Sequence, residues 1–360
     1  MVKKTSSSLH VPSVSVLMVL LCCCVDYSLC EKKIKTYKLT RGNFSVTFTN
    51  YGAVMTSLLL PDRHGKQDDV VLGFDSLDSY KNDTTYFGAI VGRVANRIGG
   101  AQFKLNGQLY KTSPNDGYNT LHGGTKGFSD VIWSVQSYVP TSHITFKYDS
   151  FDGEEGFPGN VTVKVTYMIG KNILGVKMEA KPLNKPTPIN LALHTYWNLR
   201  SHNSGDILSH KIQLLADKIT PVDDTLIPTG EITSIAGTPY DFLEPREIGS
   251  RIHELPGGYD INYIIDGPIG KHLRKTAVVT EDVTGRKMEL WTNQPGVQFY
   301  TSNMLKRVVG KGKAVYGKYG GLCLETQGFP DSVNHKNFPT QIVNPGETYL
   351  HVMLFRFTAH

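Results

Sequence analysis

Residues 143–167 read HITFKYDSFDGEEGFPGNVTVKVTY. Ile144, Phe146 and Tyr148 alternate with polar Thr145 and Lys147. Val161, Val163, Val165 and Tyr167 alternate with Thr162, Lys164 and Thr166. A period of two is the pattern of a strand with one buried face. The Gly- and Pro-rich stretch 152–159 between the runs supplies the loop. Working outward, Phe44, Val46 and Phe48 repeat the alternation. So do Phe103 and Leu105, after which Asn106-Gly107 provides the positive-φ pair of a tight hairpin. Further strands are expected near 189–197, 211–215, 287–291, 297–301, 321–326 and 349–357. Helix is expected only at 76–81 and 247–253. No linker, composition break or fixed repeat divides residues 33–360. The chain therefore reads as all-β: one large antiparallel sandwich or barrel over 31–360, with few short helices.

The composition agrees. Of 360 residues, 40% are hydrophobic and 19% charged, which suffices for a large core and excludes a disordered chain. A net charge of +6 is a weak field for this length, so nucleic acid is not an expected partner. The basic stretch 306–318 reads as a solvated loop.

The amino end reads as a targeting segment. Lys3 and Lys4 precede an apolar run from about Val11 to Val25, the layout of a secretory signal peptide over residues 1–30. The run is short for a bilayer span, so cleavage, with Cys30 a candidate for the last residue removed, is expected; a retained membrane anchor is the rival reading. Secretion would leave no membrane attachment. Four of the five cysteines fall in this segment, so the mature chain keeps only Cys323 and forms no internal disulfide. Sequons at Asn43, Asn82 and Asn160 permit glycosylation, in a number that the 19 asparagines produce by chance.

Four segments concentrate polar groups among strand residues. FGAIVGRVANRIG (87–99) carries Arg93 and Arg97, either of which could offer a planar donor fork to hydroxyls or serve as a structural cation. In TLHGGTKGF (120–128) His122 precedes two glycines, which let a backbone approach a ligand closely. In INLALHTYWNL (189–199) an extended chain puts His194, Tyr196 and Asn198 on one face. In GLCLETQGFP (321–330) Cys323 and Glu325 share a face. Each taken alone is as well explained by a structural role. Cys323 reads as a packing residue. No H-x-H, H-E-x-x-H or C-x-x-C spacing, phosphate-binding loop or nucleophile elbow occurs, so neither metal nor cofactor is expected.

Taken in order, GRVANRIGGAQFKLNG, LHGG, DGEEGFPG, NLALHTYWNL, YDINY, WTNQPGVQFYTSN and LETQGFPDSVNH resemble the aldose 1-epimerase (galactose mutarotase) family along nearly the whole chain after residue 30. The resemblance implies a β-sandwich of the galactose-mutarotase type. It implies Glu325 as general base and His194 as general acid. Sugar contacts are implied from Asn96, Arg97, His122, Tyr196, Asp260 and Gln294, with supporting roles for Trp197 and Asn198. The substrate implied is a small aldose, a free hexose such as glucose or galactose, for a monomer or weak dimer. Leu193, Ile261 and Ser302 depart from the family's usual Asn, His and Gly and are expected to bear on which sugars fit.

The chemistry suits such a pair. Anomers exchange when the ring opens to the aldehyde and closes on the other face. Opening removes a proton from the anomeric hydroxyl and delivers one to the ring oxygen, so one base and one acid suffice. We expect the two groups on opposite sides of the sugar. Rival readings are a sugar-phosphate epimerase, a non-catalytic carbohydrate-binding protein, and a glycoside hydrolase using Glu325 with Asp260.

Overall fold

In the computed structural model, which describes residues 1–2, 33–81, 83–268, 270 and 272–360, the alternating runs become the edge of a nine-stranded antiparallel sheet. Its order in space is 134–139, 143–150, 161–170, 173–182, 349–359, 286–292, 274–280, 211–214 and 246–247. Strand Val161–Gly170 pairs in register with Ile173–Pro182 from Val161↔Pro182 to Gly170↔Ile173. Val161, Val163, Val165 and Tyr167 face inward on the first strand, and Leu174, Val176, Met178 and Ala180 on the second. Each large apolar side chain buried in this way contributes about 1.5–3 kcal/mol relative to its exposed state.

A four-stranded sheet, 36–41, 44–49, 55–61 and 67–69, packs on this surface through Phe44 against Phe357 and Phe48 against Tyr167, with ring centroids 5.8 and 4.4 Å apart. The buried Tyr167 hydroxyl is satisfied by the Ala53 carbonyl at 2.8 Å. A five-stranded sheet, ordered 233–234, 218–220, 260–264, 296–300 and 323–327, sends Ile261, Tyr263, Val297, Phe299 and Leu324 into the same core. The result is the expected sandwich. Residues 33–360 make one body. The Asn106-Gly107 hairpin forms with both residues at positive φ, 51° and 81°. Helix is confined to Leu77–Lys81 and six single 3-10 turns among the described residues; where a helix was expected at 247–253 there are two such turns, Ile248–Ser250 and Ile252–Glu254. No described helix is long and apolar enough to cross a membrane. The expected signal peptide, its cleavage point and the sequon asparagine Asn82 lie outside the described residues.

The five-stranded sheet matters most for function, because its second face is polar. The register sets Asp260 opposite Tyr300, Asn262 opposite Gln298, and Gln298 opposite Glu325. Strand alternation turns the side chains of these residues away from the apolar core.

Candidate active site

Strand Cys323–Gln327 presents Glu325, 2% exposed, on that polar face. Alongside it runs the segment bearing His194. Strand Ala192–His194 pairs with Ala89–Val91, and Trp197 then exchanges backbone hydrogen bonds with Leu322 at 2.8 and 2.9 Å. Trp197 anchors this joint in the core against Phe355 and Phe357, and buried Asn198 donates to the Gly320 carbonyl at 3.1 Å. Both residues therefore support the site rather than line it. The outcome brings His194 Nε2 to 3.5 Å from Glu325 Oε1. Glu325 Oε2 is buried with no hydrogen-bond partner.

The pair stands in a cavity of about 270 Å³ also lined by Asn96, Arg97, His122, Tyr196, Asp260, Gln298, Tyr86, Tyr300, Met304 and Leu305. Asn96 and His122 interlock: the Asn96 N–H donates to His122 Nδ1 at 3.2 Å, and the His122 N–H to the Asn96 carbonyl at 2.9 Å. Both residues hold left-handed backbone, φ 59° and 52°, as does Tyr86 at 61°. Non-glycine residues adopt this region at a cost, and such strain gathers at functional sites. Because His122 Nδ1 accepts a hydrogen bond, its proton sits on Nε2, which makes that nitrogen a donor.

Arg97 and Asp260 supply charge. Arg97 Nε pairs with Asp116 at 2.7 Å, leaving the other guanidinium nitrogens for a ligand. Asp260 accepts a 2.7 Å hydrogen bond from Gln298 Nε2. Burial raises the Asp260 carboxyl, although Arg97 and Gln298 oppose the effect. Burial likewise pushes Glu325 well above the ordinary carboxylate range, reinforced by Asp260 and opposed by Arg97. It pushes His194 down to about 4. Desolvation disfavours the charged form of each group, so burial favours a neutral carboxyl beside a neutral imidazole, an arrangement with one proton to exchange between them. A pair holding one proton can accept a hydrogen from one oxygen and return it to another.

Several expectations change here. The acid and base do not face each other across a sugar ring, since a 3.5 Å gap is thinner than a pyranose. They address one edge of the cavity together. Gln294 lies elsewhere: its Nε2 donates to the Leu350 carbonyl at 3.3 Å, and it lines a second cavity. The cavity glutamine is Gln298, four residues on. Its signal in the sequence was a lone polar residue between Val297 and Phe299 on an expected strand; the pairing that sets it opposite Glu325 is seen only in the structure. Tyr196 lines the cavity, yet its hydroxyl is committed to the Thr85 carbonyl at 2.9 Å, so it offers its ring, tilted 33° to that of His194 with centroids 5.1 Å apart. Gly123 serves packing and not a ligand, because a Cβ there would lie 1.9 Å from the Gly92 carbonyl oxygen. Arg93 is the structural arginine, buried and donating to the carbonyls of Pro158 and Gly159 at 2.7 and 3.0 Å. Leu193 and Ile261 point into the core, and Ser302 bonds the Gly321 backbone, so none of the three departures lines the cavity. Cys323 is buried with Sγ 3.8 Å from His194 Nδ1.

His122, His194 and Glu325 place potential metal-ligand atoms within 4.8 Å of one another. The tautomer of His122 argues against a cation there. Ligation through Nε2 would move its proton to Nδ1, directly against the Asn96 N–H.

Comparison with known proteins identifies the family. The sequence model of the family described as Aldose 1-epimerase matches residues 35–356. The chain is 42% identical to the galactose mutarotase of Bos taurus over 335 residues, covering 92% of this chain and 96% of that protein. It is 32% identical to the aldose 1-epimerase of Escherichia coli (strain K12), covering 87% and 92%. A crystal structure of a GalM/aldose epimerase homologue from C. elegans superposes with a TM-score of 0.85 at 27% identity, covering 91% of this chain and 99% of that one. With matching fold, family model and extended sequence identity, the chain belongs to the aldose 1-epimerase family and is an isomerase, an aldose 1-epimerase.

Proposed function

We propose that Glu325 and His194 interconvert the α and β anomers of a free neutral hexose, such as glucose or galactose, by exchanging protons with two oxygens on the same carbon. The observation that carries this reading is the 3.5 Å Glu325–His194 contact inside a cavity rich in hydroxyl-binding groups. The anomeric hydroxyl and the ring oxygen are both bonded to C1, so a closely spaced pair reaches both from one edge. The shared proton passes from Glu325 to His194; Glu325 then takes the hydroxyl proton while His194 delivers its own to the ring oxygen, and closure reverses both transfers. One proton shared by the pair is the resting condition for this exchange. Asp260 and Gln298, on the two successive strands beside that of Glu325, bind ring hydroxyls, and Arg97 and the His122 Nε2–H stabilise developing negative charge on oxygen. The anomeric end remains free to rotate once open.

The cavity's only cation among the described residues is Arg97, already paired with Asp116. That favours a neutral sugar over a phosphorylated one, which would call for free cationic groups. The test is polarimetry with anomerically pure sugars. Glucose and galactose are expected to equilibrate fast, hexose 6-phosphates slowly, and aryl glycosides not to hydrolyse. In the same assay Gln298→Ala raises KM about tenfold or more through loss of hydroxyl contacts, while Gln294→Ala leaves it within about twofold. Equal effects from both glutamines would contradict the placement of the sugar. Faster turnover of the phosphates would replace the substrate class.

We also infer that the chain is exported. Lys3, Lys4 and the apolar run 11–25 support this, and a chain of this size can do without disulfides although exported chains commonly carry them. A glycan is expected at Asn43, which is exposed beside strand Phe44–Thr49. Amino-terminal sequencing of protein recovered from the medium should begin near residue 31, and glycosidase digestion should increase gel mobility. An intact Met1 on cell-retained protein would contradict export.

A further inference from the structure

Behind the polar face lies a buried imidazole that the proton exchange does not use. His351 sits on the central strand of the nine-stranded sheet, Tyr349–Ala359, and is fully buried. Its Nε2 lies 2.7 Å from Thr326 Oγ1, and its Nδ1 lies 3.1 Å from the Leu191 carbonyl. A carbonyl only accepts, so Nδ1 carries the proton and Nε2 accepts the threonine hydroxyl. Tyr349 reinforces the junction, its hydroxyl accepting the Leu191 N–H at 3.1 Å and lying 3.2 Å from His351 Nδ1. Burial pushes His351 down to about 3, so the ring stays neutral and the tautomer constant at working pH.

The two ends of this bridge are informative. Thr326 directly follows Glu325 and points to the opposite side of the same strand. Leu191 precedes His194 by three residues on the segment that runs up to it. Thus one side chain from the large sheet ties together the two elements that carry the acid and the base.

We propose that His351 is a positioning residue that sets the spacing between Glu325 and His194. Loss of the bridge lets the Cys323–Gln327 strand and the 191–194 segment shift independently. Because each group's proton affinity depends on its neighbour, such a shift changes both the rate and its pH dependence. The groups assigned to the sugar hydroxyls, Asp260 and Gln298, stand on other strands, which His351 does not bridge.

The proposal rests on the reading of Glu325 and His194 as the reacting pair, and the experiment separates the two. Steady-state mutarotation of galactose is measured from pH 4 to 9 for wild type, His351→Leu, His351→Gln, Thr326→Val and Glu325→Ala, with folding followed by circular dichroism and melting. His351→Leu should lower kcat about tenfold or more with KM within about threefold, and should move the limbs of the kcat–pH profile. Thr326→Val, close in shape, should lose kcat in the same direction by a smaller factor. His351→Gln, which keeps a donor and an acceptor, should recover part of the loss. If His351→Leu does not fold, Thr326→Val and His351→Gln decide the matter. Folded variants with wild-type kcat and pH profile overturn the positioning role, as does a kcat loss that leaves the profile unmoved. Full activity in Glu325→Ala would overturn the pair itself, whatever the His351 variants do.

Discussion

Glu325→Gln should lower kcat for mutarotation by about 10²–10⁴-fold, the usual contribution of a positioned general acid–base group. Glutamine keeps the volume and the hydrogen-bonding plane but cannot exchange a proton, so KM should stay within a few fold. The same substitution should not harm the fold. Burial raises the Glu325 carboxyl well above its ordinary value. A carboxyl raised in the folded state contributes stability below its unfolded pKa, and that contribution is lost as pH rises through the folded value. A glutamine escapes this loss, so the variant should melt at or above the wild-type temperature at neutral and alkaline pH. Polarimetry and calorimetry on one preparation would check both halves. A variant that is active, or one that is inactive only because it is unfolded, would contradict the assignment.

His194→Asn should cost a comparable factor in kcat, and the double variant should be little worse than the more damaging single one. Residues that hand one proton between them act as a unit, and their losses do not add. The wild-type pH profile follows from the same pair. Going down in pH, activity should hold through neutrality and fall near 4, as His194 gains a second proton for the pair. Going up, it should fall only well above the ordinary carboxylate range, as the pair loses its last proton. In stability the sign for His194 is that of a histidine held neutral. Its depressed pKa costs stability as pH falls from about 6.5 towards 4, and His194→Asn should relieve that part of acid unfolding. Independent, multiplicative losses in the double variant, or a profile centred on a free histidine, would show that the two groups do not share a proton.

The sandwich was legible because its signals are local. The alternation in 143–148 and 161–167 is written in consecutive residues, and so is the Asn106-Gly107 turn. Whichever way such strands pair, the apolar side must turn inward. Ordered motifs likewise pointed to Glu325 and His194, and both stand in the cavity. The resemblance named Arg97 and not Arg93 for the sugar, whereas the local sequence offered no physical ground to choose between two arginines four residues apart in one motif. One is consumed by the carbonyls of Pro158 and Gly159, and the other meets the cavity beside Asp116.

By itself, then, the sequence determined an all-β chain with its strands, its turns and the acid–base residue types. Only the tertiary structure decided that Gln298 and not Gln294 reaches the cavity, since that depends on the register of 296–300 against 323–327. It also decided that Glu325 and His194 meet edge to edge at 3.5 Å instead of facing each other across a ring. The physical reason is the same in both cases. Strand alternation specifies which way a side chain points, whereas the distance between two side chains more than a hundred residues apart is set by how separate sheets pack.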